Sequence, residues 1–93
     1  FDVDDFKSVN DQYGHLVGDL VLQAVCQRVR RRVRKDELFA RYGGEEFVVV
    51  LAETTLADAV RVADDLRKIV AAEPVRIVDG AVPITIRAAS AMT

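Results

Sequence analysis

The segment Arg41-Tyr42-Gly43-Gly44-Glu45-Glu46-Phe47 decides how the rest of the chain can fold. Strand-forming residues lie on both sides of it, at positions 38–40 before and 47–51 after. Two adjacent glycines between such runs predict a tight β-hairpin, because glycine adopts positive φ without steric cost. Alternation along a strand sends neighbouring side chains to opposite faces, so at most one of the two glutamates can join any single site directly.

Two interpretations of these glutamates are open at this point. They can be solvated residues on the shoulder of a hairpin tip, which the local pattern alone favours. They can also belong to a chemical site, provided that other parts of the chain supply partners.

Composition limits the class of protein. The chain has 93 residues, of which 51% are hydrophobic and 30% charged, and this predicts at most one domain with a modest core. A net charge of -2 gives no general attraction to nucleic acid or to anionic membranes. The single cysteine, Cys26, excludes an internal disulfide framework and is typical of a reducing compartment. The chain opens within a strand-like run and without a methionine, so we expect a piece of a longer protein.

Aspartates are concentrated at the start of the chain, with three of them within residues 1–5. Strand alternation places Asp2 and Asp4 on the face opposite to the apolar residues. Carboxylates grouped at the end of a buried strand are costly unless a cation or hydrogen-bond donors compensate them. The alternative is that Asp4 or Asp5 caps a short helix beginning near Phe6. The two interpretations are compatible if Asp2 faces a cation and a later aspartate caps the helix.

Two amphipathic helices are predicted, from about Leu16 to Arg34 and from about Leu56 to Ala72. The residues assigned to the buried stripes are Leu22, Val25, Cys26, Val29 and Val33 in the first helix, and Leu56, Ala59, Val60, Ala63, Leu66, Ile69 and Val70 in the second. The position of Cys26 in a stripe indicates a core residue rather than a nucleophile. The basic run over residues 28–35 lacks interleaved aromatic residues, which predicts solvated side chains and no nucleic-acid partner.

The fold class follows from the order of the predicted elements. Residues 75–78 and 82–86 predict two further strands, joined by a turn at Asp79-Gly80. The order is then strand, helix, strand, strand, helix, strand, strand, without internal repeats. This pattern predicts an α+β fold in which helices pack on a mostly antiparallel sheet.

The chain resembles the GGDEF domain of diguanylate cyclases, and Gly43-Gly44-Glu45-Glu46-Phe47 is similar to the GGEEF variant of that signature. The likeness extends from Asp2 to Ile86, and three motifs recur in order. They are Asp2-x-Asp4-x-Phe6-Lys7, then Asn10-Asp11 with Gly14-His15 and Gly18-Asp19, then Arg41-Tyr42 before the signature. The resemblance implies that residues 1–93 are a partial GGDEF domain, with a core similar to nucleotidyl cyclases and to the polymerase palm.

The resemblance also implies an activity, the condensation of two GTP molecules into cyclic di-GMP with release of pyrophosphate. The 3′ hydroxyl of one GTP attacks the α-phosphate held by a second GGDEF domain, so a homodimer is implied. Two Mg²⁺ ions, or Mn²⁺, about 3.5–4 Å apart hold the attacking and leaving oxygens in line. A sensory or dimerising domain in a longer parent protein is implied as well. A cytoplasmic location is expected, with a parent that can be tethered to a membrane.

Individual roles follow from matching positions in the family motifs. The resemblance implies a metal site made by Asp2, Glu45 and the backbone carbonyl of Val3. It gives Glu45 a part in deprotonating the hydroxyl and Glu46 an electrostatic part in catalysis. Asn10 and Asp19 match the guanine readers: a carboxylate accepts from the N1–H and the exocyclic amine of guanine, an arrangement that adenine does not offer.

Four more positions are implied to contact the nucleotide. Phe6 and Lys7 match the place where backbone amides and a cation meet the β- and γ-phosphates. Gly43 and Gly44 let the hairpin backbone approach the nucleotide where a β-carbon would collide.

The sequence also departs from the family pattern. Arg34 and Glu37 stand where the family usually has an inhibitory Arg-x-x-Asp site, which puts product inhibition in doubt. Arg87 and Ala89 replace a usual serine and glycine, and an arginine is unexpected on a strand that should pack inside. The family's opening helix, most of its first strand and its phosphate-binding C-terminal helix have no counterpart here. The alternative function is therefore a catalytically inactive GGDEF module that binds GTP or another protein.

Overall fold

The computed structural model describes residues 1–90 and contains three helices and six strands within that range. The elements in chain order are β1 (Asp2–Val3), α1 (Phe6–Tyr13), α2 (His15–Arg30), β2 (Leu38–Gly43), β3 (Glu46–Val50), α3 (Leu56–Ala71), β4 (Val75–Ile77), β5 (Gly80–Val82) and β6 (Ile86–Arg87). Helices pack on an antiparallel sheet, so the predicted α+β fold is confirmed. Among the described residues, no helix is both long enough and apolar enough to cross a membrane.

The main sheet has four strands in the order β2-β3-β1-β6, and all of its pairings are antiparallel. The short strand β1 therefore lies in the interior of the sheet. Asp2 is opposite Glu46 on one side and opposite Arg87 on the other. The predicted hairpin around the two glycines is confirmed, since β2 and β3 pair from Leu38–Val50 to Gly43–Glu46 with one register shift before the tip.

The strands that follow α3 differ from the prediction. The turn falls at residues 78–79, β5 is Gly80–Val82, and the pair β4–β5 forms a separate two-stranded sheet. The expected continuous strand over residues 82–86 is wrong, because Pro83 has no N–H to donate and interrupts the ladder. After this interruption the chain resumes pairing as β6, alongside β1. Alternate residues nevertheless stay inward, so Val82, Ile84 and Ile86 are all buried.

The core lies between α2, α3 and the main sheet. Three of the five residues predicted for the first stripe, Leu22, Val25 and Val29, are buried, and Val21, which was not predicted, joins them. Cys26 packs against this core, as expected. Burial raises the pKa of its thiol, and the nearby guanidinium groups of two arginines oppose that effect only in part. At neutral pH the thiol is a protonated packing group rather than a nucleophile.

An aromatic cluster fastens β1 to the hairpin. The ring of Phe1 stacks on Phe47 with centroids 5.2 Å apart and on Phe39 at 6.2 Å. Arg30 completes the cluster, with its guanidinium carbon 5.8 Å from the centre of the Phe39 ring.

The helix α2 ends at Arg30, four residues before the predicted end at Arg34. Several arginines of the basic run are engaged rather than simply solvated. The guanidinium of Arg28 donates hydrogen bonds to the carbonyls of Val70 (2.8 Å), Glu73 (2.5 Å) and Pro74 (3.2 Å), which cap the end of α3. Arg32 reaches Asp65 of α3 at 3.4 Å. The run thus ties the two long helices together.

The helix α3 begins as predicted, with the Thr55 hydroxyl accepting from the Asp58 amide at 3.2 Å. Its predicted buried stripe holds only in the second half, where Leu66 and Val70 are buried. Leu56 and Val60 are 44% and 52% exposed. An open cleft of about 510 Å³ separates β3 from this part of the helix, and Ala59, Val62 and Ala63 line it on the helix side.

Candidate functional site

An acidic cavity of about 400 Å³ opens where β1, the hairpin tip and β6 meet. Its lining residues are Asp2, Val3, Asp4, Asp5, Glu45, Thr85 and Arg87. Four of these seven side chains are carboxylates, and neither histidine nor cysteine is among them. Such an oxygen donor set suits a hard divalent cation far better than zinc or copper.

Backbone pairing places Asp2 beside Glu45. The amide of Phe47 donates to the carbonyl of Phe1 at 2.8 Å, and the amide of Val3 donates to the carbonyl of Glu45 at 3.1 Å. These two bonds fix the end of β1 against the tip of the hairpin. Since Val3 is buried in the core, the strand cannot slide without losing that packing.

The remaining aspartates of the cavity are held differently. The carboxylate of Asp4 accepts from the Thr85 hydroxyl at 2.8 Å, and the amide of Asp4 donates to the Thr85 carbonyl at 2.9 Å. Asp5 occupies the N-cap position of α1 in a left-handed conformation with φ of 53°. Its side chain makes no capping hydrogen bond, so the expected side-chain cap is wrong. In the left-handed conformation the residue lines the cavity instead.

The hairpin tip is held by Arg41 rather than by unusual glycine backbone. The Arg41 guanidinium donates to the carbonyl of Gly44 through Nε (3.0 Å) and Nη2 (2.5 Å). Among the described residues, positive φ is found at Asp5, Gly14, Glu53 and Gly80, so the expectation of positive φ at Gly43 and Gly44 is wrong. The register shift between Arg41 and Gly43 widens the turn, so the turn does not require positive φ at the two glycines.

Open space surrounds both glycines of the tip. A β-carbon added at Gly43 or Gly44 would meet no heavy atom within 4 Å. The fold itself therefore does not demand glycine there. Their predicted role, a close approach of backbone to nucleotide, stays a prediction.

The two glutamates take different positions. Glu45 lies in the turn and lines the acidic cavity. Glu46 lies in β3, directly opposite Asp2, and is exposed. The structure thus brings Glu45 and Asp2 to one cavity and leaves Glu46 at its border.

The predicted guanine readers lie on the helix pair α1–α2. The side-chain oxygen of Asn10 lies against Gly18, so that a β-carbon at that glycine would be 1.9 Å from it. Asp19 is the next residue of α2 and is exposed. Phe6 is buried beneath this contact, whereas Lys7 is exposed in the first turn of α1. Asn10 and Asp19, called here the polar cluster on α1–α2, are therefore brought to the same helix pair, outside the lining of the acidic cavity.

The acidic cavity is not a complete cation site by itself. Within residues 1–90, no three acidic, histidine or cysteine side chains stand close enough to enclose a metal ion. A cation here would draw further ligands from backbone carbonyls, water and a bound anionic ligand. The donor chemistry fits a hard divalent cation.

Sequence reasoning assigned no site role to four residues of the cavity lining, namely Asp4, Asp5, Thr85 and Arg87. An arginine was unexpected at residue 87 on a strand that should pack inside; the strand buries Ile86, while the side chain of Arg87 is 86% exposed. Its Nε lies 3.9 Å from a carboxylate oxygen of Asp4. The register that puts Arg87 opposite Asp2 is set by residues far apart in the chain, which no local signal reveals.

The residues matched to an inhibitory product site are close together but paired locally. The carboxylate of Glu37 accepts from the backbone amide of Arg34 at 2.7 Å. This bond stabilises the turn between α2 and β2. The Glu37 carboxylate is therefore already engaged by its own chain.

Comparison with known proteins identifies the family of the chain. The family described as "Diguanylate cyclase, GGDEF domain" matches residues 1–92. The chain belongs to the GGDEF family. Its Gly-Gly-Glu-Glu-Phe tip at residues 43–47 is thus the GGDEF signature of this domain, and the acidic cavity lies directly beside it.

Relatives of this GGDEF domain include signalling proteins of known name. The response regulator PleD of Caulobacter vibrioides is 46% identical over 79 residues, which is 85% of this chain and 17% of PleD. The crystal structure of diguanylate cyclase SiaD with its activator SiaC, from Pseudomonas aeruginosa, has a TM-score of 0.84 at 40% identity. The match covers 90% of this chain and 32% of the SiaD chain.

A third relative is a GGDEF domain of DgcB from Caulobacter crescentus, crystallised in complex with c-di-GMP. Its TM-score is 0.84 at 29% identity, over 90% of this chain and 51% of that one. The chain therefore spans between about a tenth and about a half of the length of the proteins it matches.

Proposed function

We propose that this GGDEF domain is the catalytic module of a diguanylate cyclase. In the reaction, each 3′ hydroxyl of two GTP molecules attacks the α-phosphate of the other, giving cyclic di-GMP and two pyrophosphates. The observation that carries the proposal is the joining of Asp2 and Glu45 in one acidic cavity at the signature hairpin. Relatives named diguanylate cyclases, and the DgcB domain in complex with c-di-GMP, support it.

Three groups of this chain would hold the metal, the carboxylates of Asp2 and Glu45 and the backbone carbonyl of Val3. When bound, Mg²⁺ neutralises phosphate charge and orients the reacting oxygens. Glu45 has a second task in the proposal, because its remaining oxygen accepts the proton of the attacking hydroxyl. Glu46, at the border of the cavity, adds negative potential that favours cation binding.

The polar cluster on α1–α2 would select the base. The Asp19 carboxylate accepts from the N1–H and the exocyclic amine of guanine, and the Asn10 amide adds a second polar contact. Lys7 and the free amides at the start of α1, near Phe6, would bind the terminal phosphates. Gly43 and Gly44 leave room for the nucleotide beside the hairpin. The domain thus prefers GTP to ATP.

Turnover requires a second GTP-loaded GGDEF domain. Alignment of two bound reactants contributes up to about 7–11 kcal/mol in well-oriented cases. The partner in the proposal is a second copy of this domain, brought into position by a sensory or dimerising domain of a longer parent protein. The site of action is the cytoplasm, where GTP is available, whether or not the parent is tethered to a membrane.

The test measures nucleotide binding and turnover separately. The 93-residue chain should bind GTP with Mg²⁺ more tightly than ATP in calorimetry. Fused to a dimeric coiled coil, it should form cyclic di-GMP, and Glu45→Gln should lower the rate by about 100-fold or more, as loss of electrostatic stabilisation does elsewhere. Asp79→Asn, in the exposed β4–β5 turn, is the matched control. Undiminished product formation by the Glu45→Gln fusion would refute the assignment.

One observation favours the alternative of a catalytically inactive GTP-binding or protein-interaction module. The guanidinium of Arg87 stands 3.9 Å from Asp4 in the cavity that should attract a metal ion. The Arg87 guanidinium at this place competes with a metal ion for the carboxylates of the cavity. In this alternative the domain binds GTP but forms no cyclic di-GMP in any dimeric arrangement.

A further inference from the structure

Gly18 is an unusual residue for its position. It lies in the second turn of α2, is buried, and has ordinary helical backbone rather than positive φ. Glycine is among the residues least compatible with a helix interior, and alanine would be the favoured choice there. The backbone therefore gives no reason for glycine at this position, and the reason must lie in what surrounds it.

The space beside Gly18 is filled by the side chain of Asn10. A β-carbon at Gly18 would be 1.9 Å from Asn10 Oδ1, 3.0 Å from Asn10 Cγ and 3.3 Å from Cζ of Phe6. Oδ1 would have to retreat by about 1 Å to reach even the shortest tolerable contact. A single methyl group at residue 18 is thus incompatible with the present placement of the Asn10 amide.

The backbone around Asn10 has little freedom to absorb such a shift. Its carbonyl accepts from the amide of Gly14 at 2.8 Å, and the carbonyl of Gly14 accepts from the amide of Gly18 at 3.1 Å. Only one residue separates α1 from α2. The two helices are therefore closely coupled, and the Asn10 side chain would have to rotate away.

We propose that Gly18 is a positioning residue for guanine selectivity. By lacking a side chain, it seats the Asn10 amide on the surface of α2, one residue away from Asp19, so that both polar groups face one planar base. This inference rests on the proposed function, since it assigns Asn10 and Asp19 to the guanine of GTP. Gly18 itself contacts no substrate and acts only through Asn10.

The experiment compares GTP and ATP binding to the 93-residue chain in the presence of Mg²⁺ by calorimetry. Gly18→Ala should weaken GTP binding by about tenfold, as loss of one buried hydrogen bond does, and leave ATP binding nearly unchanged. Gln23→Ala, at an exposed position of the same helix, is the control for changes in helix propensity. Circular dichroism should show the same helix content in all variants.

A double-mutant cycle separates positioning from general stability. Asn10→Ala should lower the ratio of GTP to ATP affinity, and adding Gly18→Ala should lower it no further, since the group being positioned is gone. If Gly18→Ala alone fails to fold, recovery of a thermal transition in the double variant supports the contact, whereas failure of both overturns it. Equal loss of GTP and ATP affinity also overturns the proposal.

Nucleotide binding distinguishes the proposed function from the positioning role of Gly18. Equal binding of GTP and ATP by the unmutated chain would refute the proposed function. A clear preference for GTP that survives Gly18→Ala would refute the positioning role alone.

Discussion

At the residue scale, Arg87 places a positive charge in the lining of the acidic cavity. Removing its guanidinium, as in Arg87→Ser, should increase affinity for Mg²⁺ or Mn²⁺. The gain should be modest, about two- to fivefold, because the side chain is exposed and its 3.9 Å pairing with Asp4 is screened by solvent. Titration with Mn²⁺, followed by electron paramagnetic resonance, measures the change. Arg76→Ser, on the separate sheet, is the control, and equal affinities of all three chains would show that Arg87 has no influence.

Single residues of the site differed in how far the sequence could place them. Asp2 and Glu45 were assigned by resemblance, and their meeting depends on a short strand and a hairpin, both of which have strong local signals. Arg87 was noticed only as a departure from the family pattern, because its place beside the cavity is decided by pairing with Asp2, more than eighty positions away. Positive φ at Gly43 and Gly44 was wrong because Arg41 and a register shift shape the turn, and neither can be read from the glycines alone.

At the element scale, α3 carries an exposed charge network centred on Asp64. Its carboxylate pairs with Arg67 at 2.7 Å and with Lys68 at 3.1 Å. The hydrogen bond from Arg67, followed by that from Lys68, lowers the pKa of Asp64. A carboxyl group with a lowered pKa in the folded state contributes stability at higher pH, and the contribution disappears as the pH falls through that pKa.

Asp64→Asn should therefore melt at a lower temperature than the unmutated chain at pH 7. The difference should shrink as the pH falls below about 4, the ordinary range of an aspartate, and vanish in stronger acid. It should also shrink in high salt, because the network is exposed to solvent. Thermal melts between pH 7 and pH 2.5 follow the trend, with Asp79→Asn as the control. A difference independent of pH would point to helix propensity rather than charge.

The helices were predicted more accurately at their starts than at their ends. Thr55 is a chemical start signal, and the structure uses it. The end of α2 carries no such signal, since residues 30–35 are charged residues and one valine that continue a helix equally well. Tertiary contacts end the helix. The chain has to turn toward β2, and Arg28 is hydrogen-bonded to carbonyls at the end of α3. Such demands lie outside the local pattern.

At the scale of the whole molecule, the outer face of the β2–β3 hairpin is apolar and open. Leu38 and Val50 lie directly opposite each other and are 60% and 49% exposed. Exposed apolar side chains grouped on a sheet favour self-association. We expect the 93-residue chain to form oligomers as its concentration rises, and sedimentation velocity would detect them.

The double substitution Leu38→Lys with Val50→Glu should reduce this association. Opposite charges on directly paired residues support the strand pairing while they remove the apolar surface. Val78→Lys, which places one charge at a residue that is 98% exposed in the β4–β5 turn, is the control for the effect of an added surface charge. A monodisperse monomer from the unmutated chain at high concentration would contradict the expectation.

The global arrangement was predictable as a fold class and not as a topology. Alternating and helical patterns gave α+β, which requires only the sum of local signals. Neither the splitting of the strands into two sheets nor the interior place of β1 follows from such signals. Both depend on Pro83 interrupting a ladder and on β6 pairing across the entire chain.

The pairing of β1 with β6 also has a consequence for how the protein is made. Residues 1–4 leave the ribosome well before the rest of this segment, and Asp4 receives its partner Thr85 only after another eighty residues have been synthesised. Contacts of such long sequence separation form slowly, because a large loop must close before they are rewarded. The hairpin and the helix pair can gather earlier through nearby contacts. The acidic cavity is therefore completed after the hairpin and the helix pair. Its carboxylates are exposed on a nascent chain long before the cavity has formed around them.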